Sequence, residues 1–169
     1  YARYFDRYFL NQLEWKDWEP IIRELQTNLT DEVIDEAMQQ FPPEVIGEST
    51  AEIGQFLRER RGNLMEMGRR LYDYISLEVE VTGTDHKDRF EIQSNEDGSL
   101  QVKTYVQRKE KGDLLKFSRT FYPSETNEIR LYGLRGKDEF NFTGDRSGRI
   151  RVRIIGGEDD DIINNEIAF

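Results

Sequence analysis

The hydrophobic period changes once along this chain, and that change constrains the fold more than any motif. Up to about Ser76, apolar side chains recur at the spacing of one helix face. Tyr1, Tyr4, Phe5, Tyr8 and Phe9 form a first stripe, and Trp15, Trp18, Ile22 and Leu25 a second. Val33, Ile34, Ala37, Met38 and Phe41 form a third, with Thr30 placed as its N-cap and Asp31 and Glu32 at the favourable end of the helix dipole. Ser49 and Glu52 have capping-box spacing ahead of a long stripe from Ile53 to Ile75, which Gly62 is placed to kink or split. Pro20 fits the second helix if it lies in the first turn.

Beyond Ser76 the period is two. Leu77, Val79 and Val81 alternate with Glu78, Glu80 and Thr82, as a half-buried strand requires. Phe90 and Ile92 follow, and the turn Asn95 to Ser99 leads to Leu100, Val102, Thr104 and Val106. The turn Lys109 to Asp113 leads to Leu115, Phe117 and Phe121. Short strands around Leu131, Phe140 and Val152 complete the series. The expected class is α+β: a helical lobe, 1–75, packed on a mostly antiparallel β-sheet lobe, 76–169, either a sandwich or a short solenoid. Arg149, Arg151 and Arg153 share one strand face and are expected to meet carboxylates.

Two glycine-led turns resemble each other. "GLRGKDEFN" carries Gly133, Gly136, Asp138 and Phe140, and "GGEDDDIIN" carries Gly156, Gly157, Asp159, Asp161 and Ile163. Calcium-binding Gly-Asp repeats use such residues, with glycines turning the backbone and aspartates supplying oxygen ligands. Those repeats advance by about nine residues, whereas these copies lie much farther apart and each lacks one glycine of the pattern. The pair is therefore read as stacked turns with solvated carboxylates, with parallel neighbours near Leu131, Phe140 and Ile154. Calcium at Asp138, Asp159 and Asp161 is the alternative. The run Glu158 to Asp161 is likewise read as a solvated loop.

No catalytic signature stands out. His86 is the one histidine, beside Asp85 and Asp88, and a polar turn explains it without chemistry; a metal-dependent hydrolase built from these three and the later acids is a further alternative. There are no cysteines, so disulfides and thiolate zinc sites are excluded. A formal net charge of −10 opposes binding to a phosphate backbone, and no run of about 18 apolar residues is present to span a membrane. The chain opens without Met and without a signal segment, as an excised piece of a longer protein would. The early aromatics Tyr4, Tyr8, Trp15 and Trp18 suit either a core stripe or a surface that stacks on a glycan or docks a partner.

The phrases "FPPEVIGESTAEIGQFLRERRGNL", "EVEVTGTDHKDRFEI", "FSRTFYPSETNEIRLYGL", "LYGLRGKDEFNFTG" and "IRVRIIGGEDDD" carry a resemblance that covers most of the chain. It resembles a non-catalytic region of large Gram-negative envelope proteins, between a calcineurin-like metallophosphoesterase domain and a surface-antigen outer-membrane β-barrel. The phosphoesterase ligand motifs have no counterpart here: Asp85 and His86 are adjacent, without the intervening residue of Asp-x-His. The resemblance implies a cell-envelope location, periplasmic and outer-membrane associated, or secretion. It also implies a non-enzymatic interaction module without a cofactor, its partners being neighbouring domains of the parent chain or another envelope protein.

Overall fold

The computed structural model describes residues 2–108, 110–145 and 149–167, with backbone alone for 2–4 and 48. Helices α1 (Ala2–Phe9), α2 (Trp15–Asn28), α3 (Asp31–Gln39), α4 (Glu48–Gly62) and α5 (Leu64–Ser76) precede all the strands, as the change of period requires. The strands are β1 (Glu78–Thr82), β2 (Asp88–Ser94), β3 (Leu100–Val106), β4 (Leu114–Phe121), β5 (Glu128–Leu134), β6 (Glu139–Gly144), β7 (Arg151–Gly157) and β8 (Ile162–Asn165). The class is α+β, with no closed barrel among the described residues.

Two compact units divide the chain: residues 15–72, and residues 1–14 together with 73–169. The boundary therefore differs from the break at 75/76. The first residues join the strands because their polar side chains cap strand carbonyls. Asn11 Nδ2 donates to the Glu80 carbonyl at 2.8 Å and Gln12 Nε2 to the Lys116 carbonyl at 2.9 Å. Arg119 donates to the Asn11 carbonyl at 2.8 Å and to Ser76 Oγ at 3.0 Å.

In the helical unit, Thr30 caps α3 as expected, its hydroxyl accepting from Val33 N–H. The α4 cap lies two residues earlier than the Ser49 box. Gly47 is the cap, and its N–H donates to Thr50 Oγ1 at 3.0 Å. Gly62 ends α4, and α5 opens at Leu64. Pro20 lies inside α2 rather than in its first turn. Arg58 and Arg61 on α4 join α3 through Asp31, at 3.4 and 2.7 Å.

The sheets depart from the antiparallel meander. Only β2–β3 and β3–β4 are antiparallel; β1–β5, β5–β7, β2–β6 and β6–β8 are all parallel. One sheet runs β1-β5-β7 and the other β4-β3-β2-β6-β8. Each pair β1–β2, β5–β6 and β7–β8 is thus one coil, a strand in each sheet joined by a corner turn, and the coils stack. The short-solenoid alternative describes this arrangement, with the β3–β4 hairpin inserted after the first coil. Alternation alone cannot tell the two apart, because a strand with one buried face reads the same in either pairing direction.

The core lies between the sheets and runs in columns. Ile129 pairs with Val79 on one side and Val152 on the other, and Leu131 with Val81 and Ile154. Phe90, Phe140 and Ile163 form a column in the second sheet, the two rings stacked at 4.6 Å. The expected parallel neighbours at Leu131, Phe140 and Ile154 are present. On the outer face of the first sheet, Glu128 gathers Arg130, Arg151 and Arg153 at 2.6, 3.3 and 3.4 Å. The Arg130 guanidinium beside it holds the Glu128 carboxyl below the usual range. The strand arginines at 151 and 153 therefore meet a carboxylate as expected.

Candidate functional site: a stack of aspartate turns

The corner turns of the three coils superpose in register. Strand pairing aligns Asp88 with Asp138 one residue ahead of the Arg89–Glu139 pair, and Asp138 with Asp161 ahead of Glu139–Ile162. The same alignment places Gly83, Gly133 and Gly156 together, five positions before each aspartate. The repeat is therefore threefold, Gly-x-x-x-x-Asp.

Each aspartate turns inward beneath its own glycine. A side chain at Gly83 would meet Asp88 Oδ2 at 2.6 Å, one at Gly133 would overlap Asp138 Oδ2 and the Gly156 carbonyl, and one at Gly156 would overlap Asp161 Oδ2. Glycine is required here by close approach and not by backbone angle. The carboxylates then link the coils. Asp138 Oδ1 accepts the backbone N–H of Asp88 at 2.8 Å, and Asp161 Oδ1 accepts that of Asp138 at 3.0 Å. Asp159, in the left-handed region at φ 77°, accepts Gly136 N–H at 3.2 Å. Asp88 accepts the N–H and the hydroxyl of Thr84.

Burial makes this ladder electrostatically costly. Asp88 and Asp138 are both fully buried. Asp138 Oδ2 has no hydrogen-bond partner, and burial, aided by the neighbouring carboxylates of Asp88, Asp161 and Asp159, pushes its carboxyl up to about 7. Burial also raises Asp88, against its bonds from Thr84 and the nearby charges of His86 and Lys116. Asp88 and Asp138 are thus interior groups, and in the run Glu158 to Asp161 the expectation of carboxylates in solvent holds for the exposed Glu158, Asp159 and Asp160, while Asp161 is half-buried.

The metal candidates Asp138, Asp159 and Asp161 do come together, but as acceptors of backbone N–H groups. No group of three or more His, Asp or Glu among the described residues is arranged to hold a metal ion. Asp85 and His86 are exposed on the first turn, while the Asp88 carboxylate points inward to Thr84.

The aromatic candidates separate. Trp15 and Trp18 pack on the buried Tyr72 in the helical unit, with centroids 5.5 and 5.9 Å away, and Arg69 lies over the Trp15 ring at 4.8 Å. Tyr8 is exposed in the other unit, edge-on to Phe9 at 5.3 Å. The Tyr4 side chain lies outside the described residues, as does Tyr1.

Among the described residues the two ends of the stack differ in how far they are covered. Asn11 meets the β1 edge and the β3–β4 hairpin lies beside β2. At the other end β7 and β8 are edge strands, and the Phe90–Phe140–Ile163 column passes from 0% exposure at both rings to 59% at Ile163.

The missed coil was visible in the sequence as Gly83 and Asp88 at the spacing shared by Gly133 with Asp138 and Gly156 with Asp161. The hairpin hid it by stretching the step from 23 to 50 residues. No protein-family model matches the chain, and neither a curated protein nor a solved structure matches it.

Proposed function

We propose that this chain is a non-enzymatic interaction module of an exported or envelope protein, and that it docks a partner on the open end of its coil stack. The exposure of Ile163 at the end of an otherwise buried column carries the reading. A third coil that finishes neither its apolar columns nor its main-chain pairing is a template for another strand. The occupant is an extended protein segment that pairs in parallel with β7 or β8, because every coil-to-coil pairing in the stack is parallel. Continuity with that repeated interface favours a strand–turn–strand piece from a neighbouring domain of the parent chain or from another envelope protein. The resemblance to an envelope region supports the cellular setting. No helix among the described residues is long and apolar enough to cross a membrane.

A photo-crosslinking residue at the exposed position 162, beside Ile163 in β8, in the protein expressed in its own cell, tests this. Cross-links to one extended segment, lost on Ile163→Asp with the melting curve unchanged, support docking. Cross-links scattered over unrelated peptides overturn it. So does turnover of a phosphoester, glycoside or peptide by the purified chain, if one point substitution abolishes it.

A further inference from the structure

The third coil leaves the turn chemistry of the stack unfinished. In the second coil, the next coil meets the Asp138 backbone twice: its N–H donates to Asp161 Oδ1 at 3.0 Å, and its carbonyl accepts Ile162 N–H at 2.8 Å. The repeat turns the same two groups of Asp161 toward the free side, and neither has a partner among the described residues.

Two further features continue past the third coil. A side chain at Gly83 would meet the Gly133 carbonyl, and one at Gly133 the Gly156 carbonyl. At Gly156 the three nearest atoms all belong to Asp161, and no carbonyl is among them. On the outer face, Asn164 Nδ2 donates to Asn141 Oδ1 at 2.7 Å, an amide pair of the kind that grows by one asparagine per layer. The second and third coils accordingly share the longer reading Gly-x-x-x-x-Asp-x-(Phe or Ile)-Asn, from Gly133 to Asn141 and from Gly156 to Asn164.

We infer that the partner segment is itself a further coil of this repeat, with the same Gly-x-x-x-x-Asp-x-(Phe or Ile)-Asn turn. This rests on the docking reading above and adds what the partner must carry. Its aspartate accepts Asp161 N–H, and the N–H of the following residue donates to the Asp161 carbonyl. Its apolar residue covers Ile163, and its asparagine amide donates to Asn164 Oδ1. Its glycine is needed because its own aspartate folds beneath it, as at all three turns. Main-chain pairing alone accepts any extended strand, so the turn is what confers selectivity. A second copy of the chain does not supply such a coil. Its first two coils are paired within its own stack, and its β1 edge carries Asn11. A two-fold axis would pair its β7 or β8 antiparallel with this one, which takes the two aspartates to opposite ends.

Fluorescence anisotropy with a labelled peptide copy of the second coil, residues 127–144, tests the inference. The probe is expected to bind the chain at about 100 µM or tighter, and a scrambled peptide of the same composition not to bind. Within the probe, Asp138→Ala and Gly133→Val are each expected to weaken binding about tenfold, whereas Asp138→Asn, which keeps an acceptor oxygen, changes it less than about twofold. Ile163→Asp in the chain is expected to weaken it about tenfold as well. No binding by the probe, equal binding by the scrambled peptide, or binding indifferent to Asp138→Ala overturns the inference. Cross-linking from position 162 separates this failure from that of docking. One captured segment without the Gly-x-x-x-x-Asp turn overturns the inference and leaves the docking reading, whereas scattered capture overturns both.

Discussion

The backbone N–H of Asp88 donates to Oδ1 of Asp138, fifty residues on, at 2.8 Å, while Oδ2 of the same carboxylate is buried without a partner. One oxygen therefore joins two coils and the other opposes ionisation. The Asp138 carboxyl is raised from 3.8 to about 7, so the folded chain holds its proton more tightly than the unfolded chain. The stability tied to that proton is full below about pH 4 and is lost as pH rises through about 7. Asp138→Asn keeps an acceptor for Asp88 N–H and carries no charge. It is expected to stabilise the fold at pH 8 by on the order of 2–4 kcal/mol, up to the full shift, and to do little at pH 4. Denaturant melts of both proteins at the two pH values check this; an equal effect at both removes the ionisation argument.

Gly133 cannot carry a side chain, because its Cβ would overlap a backbone carbonyl and a buried carboxylate, neither of which is free to move. Gly133→Ala is expected to cost about 2–4 kcal/mol, at or beyond the upper part of the overpacking range. Gly62 has nothing within 4 Å of such a Cβ and ends a helix. Gly62→Ala is expected to be neutral or to stabilise by up to about 1 kcal/mol. Thermal melts that rank the two variants the other way contradict the packing assigned to the turn.

Asp161 caps Asp138 N–H, so its loss should act on the fold. Asp161→Ala is expected to lower stability by about 1–2 kcal/mol, the cost of a partly buried donor left unpaired. Calcium at millimolar concentration is expected to give no heat with either protein and to leave both melting temperatures in place. A calcium-dependent melting shift that vanishes in Asp161→Ala would restore the cation reading.

Phe140 and Ile163 occupy one column at opposite extremes of exposure. Phe140→Ala is expected to cost about 3–5 kcal/mol through the cavity it leaves against Phe90. Ile163→Asp is expected to stay within about 0.5 kcal/mol of the parent. A large loss at position 163 in the isolated chain would mean that the end of the stack is already covered.

The order of elements was legible because periods of 3.6 and 2 survive in almost every segment, from the Val33–Phe41 stripe to the Leu100–Val106 strand. Thr30 was readable as a cap since capping is local chemistry. The direction of strand pairing was not, because Val79, Ile129 and Val152 each alternate with polar neighbours whichever way their partners run. The pairing of the Gly133 and Gly156 turns was visible as a resemblance, yet the burial of Asp138 was not. Carboxylates in glycine turns are ordinarily solvated, and only the stacked coils turn these inward. The grouping of residues 8–13 with the strands rests on Asn11 and Gln12 reaching carbonyls 69 and 104 residues away, a relation without a local signature.

The inserted β3–β4 hairpin sets the order in which the stack assembles. The second and third coils join residues 23 apart, whereas the first and second join residues 50 apart. Loop closure over that longer span costs about 0.6 kcal/mol more and waits on the hairpin as well. Nucleation should therefore begin in the distal coils, with β1 arriving last, and pulse-labelled amide exchange would contradict this by showing β1 protected ahead of β5 to β8. During biosynthesis that order leaves the first coil's edge unsatisfied until more than fifty further residues have emerged, so the early chain depends on whatever shields that edge from aggregation.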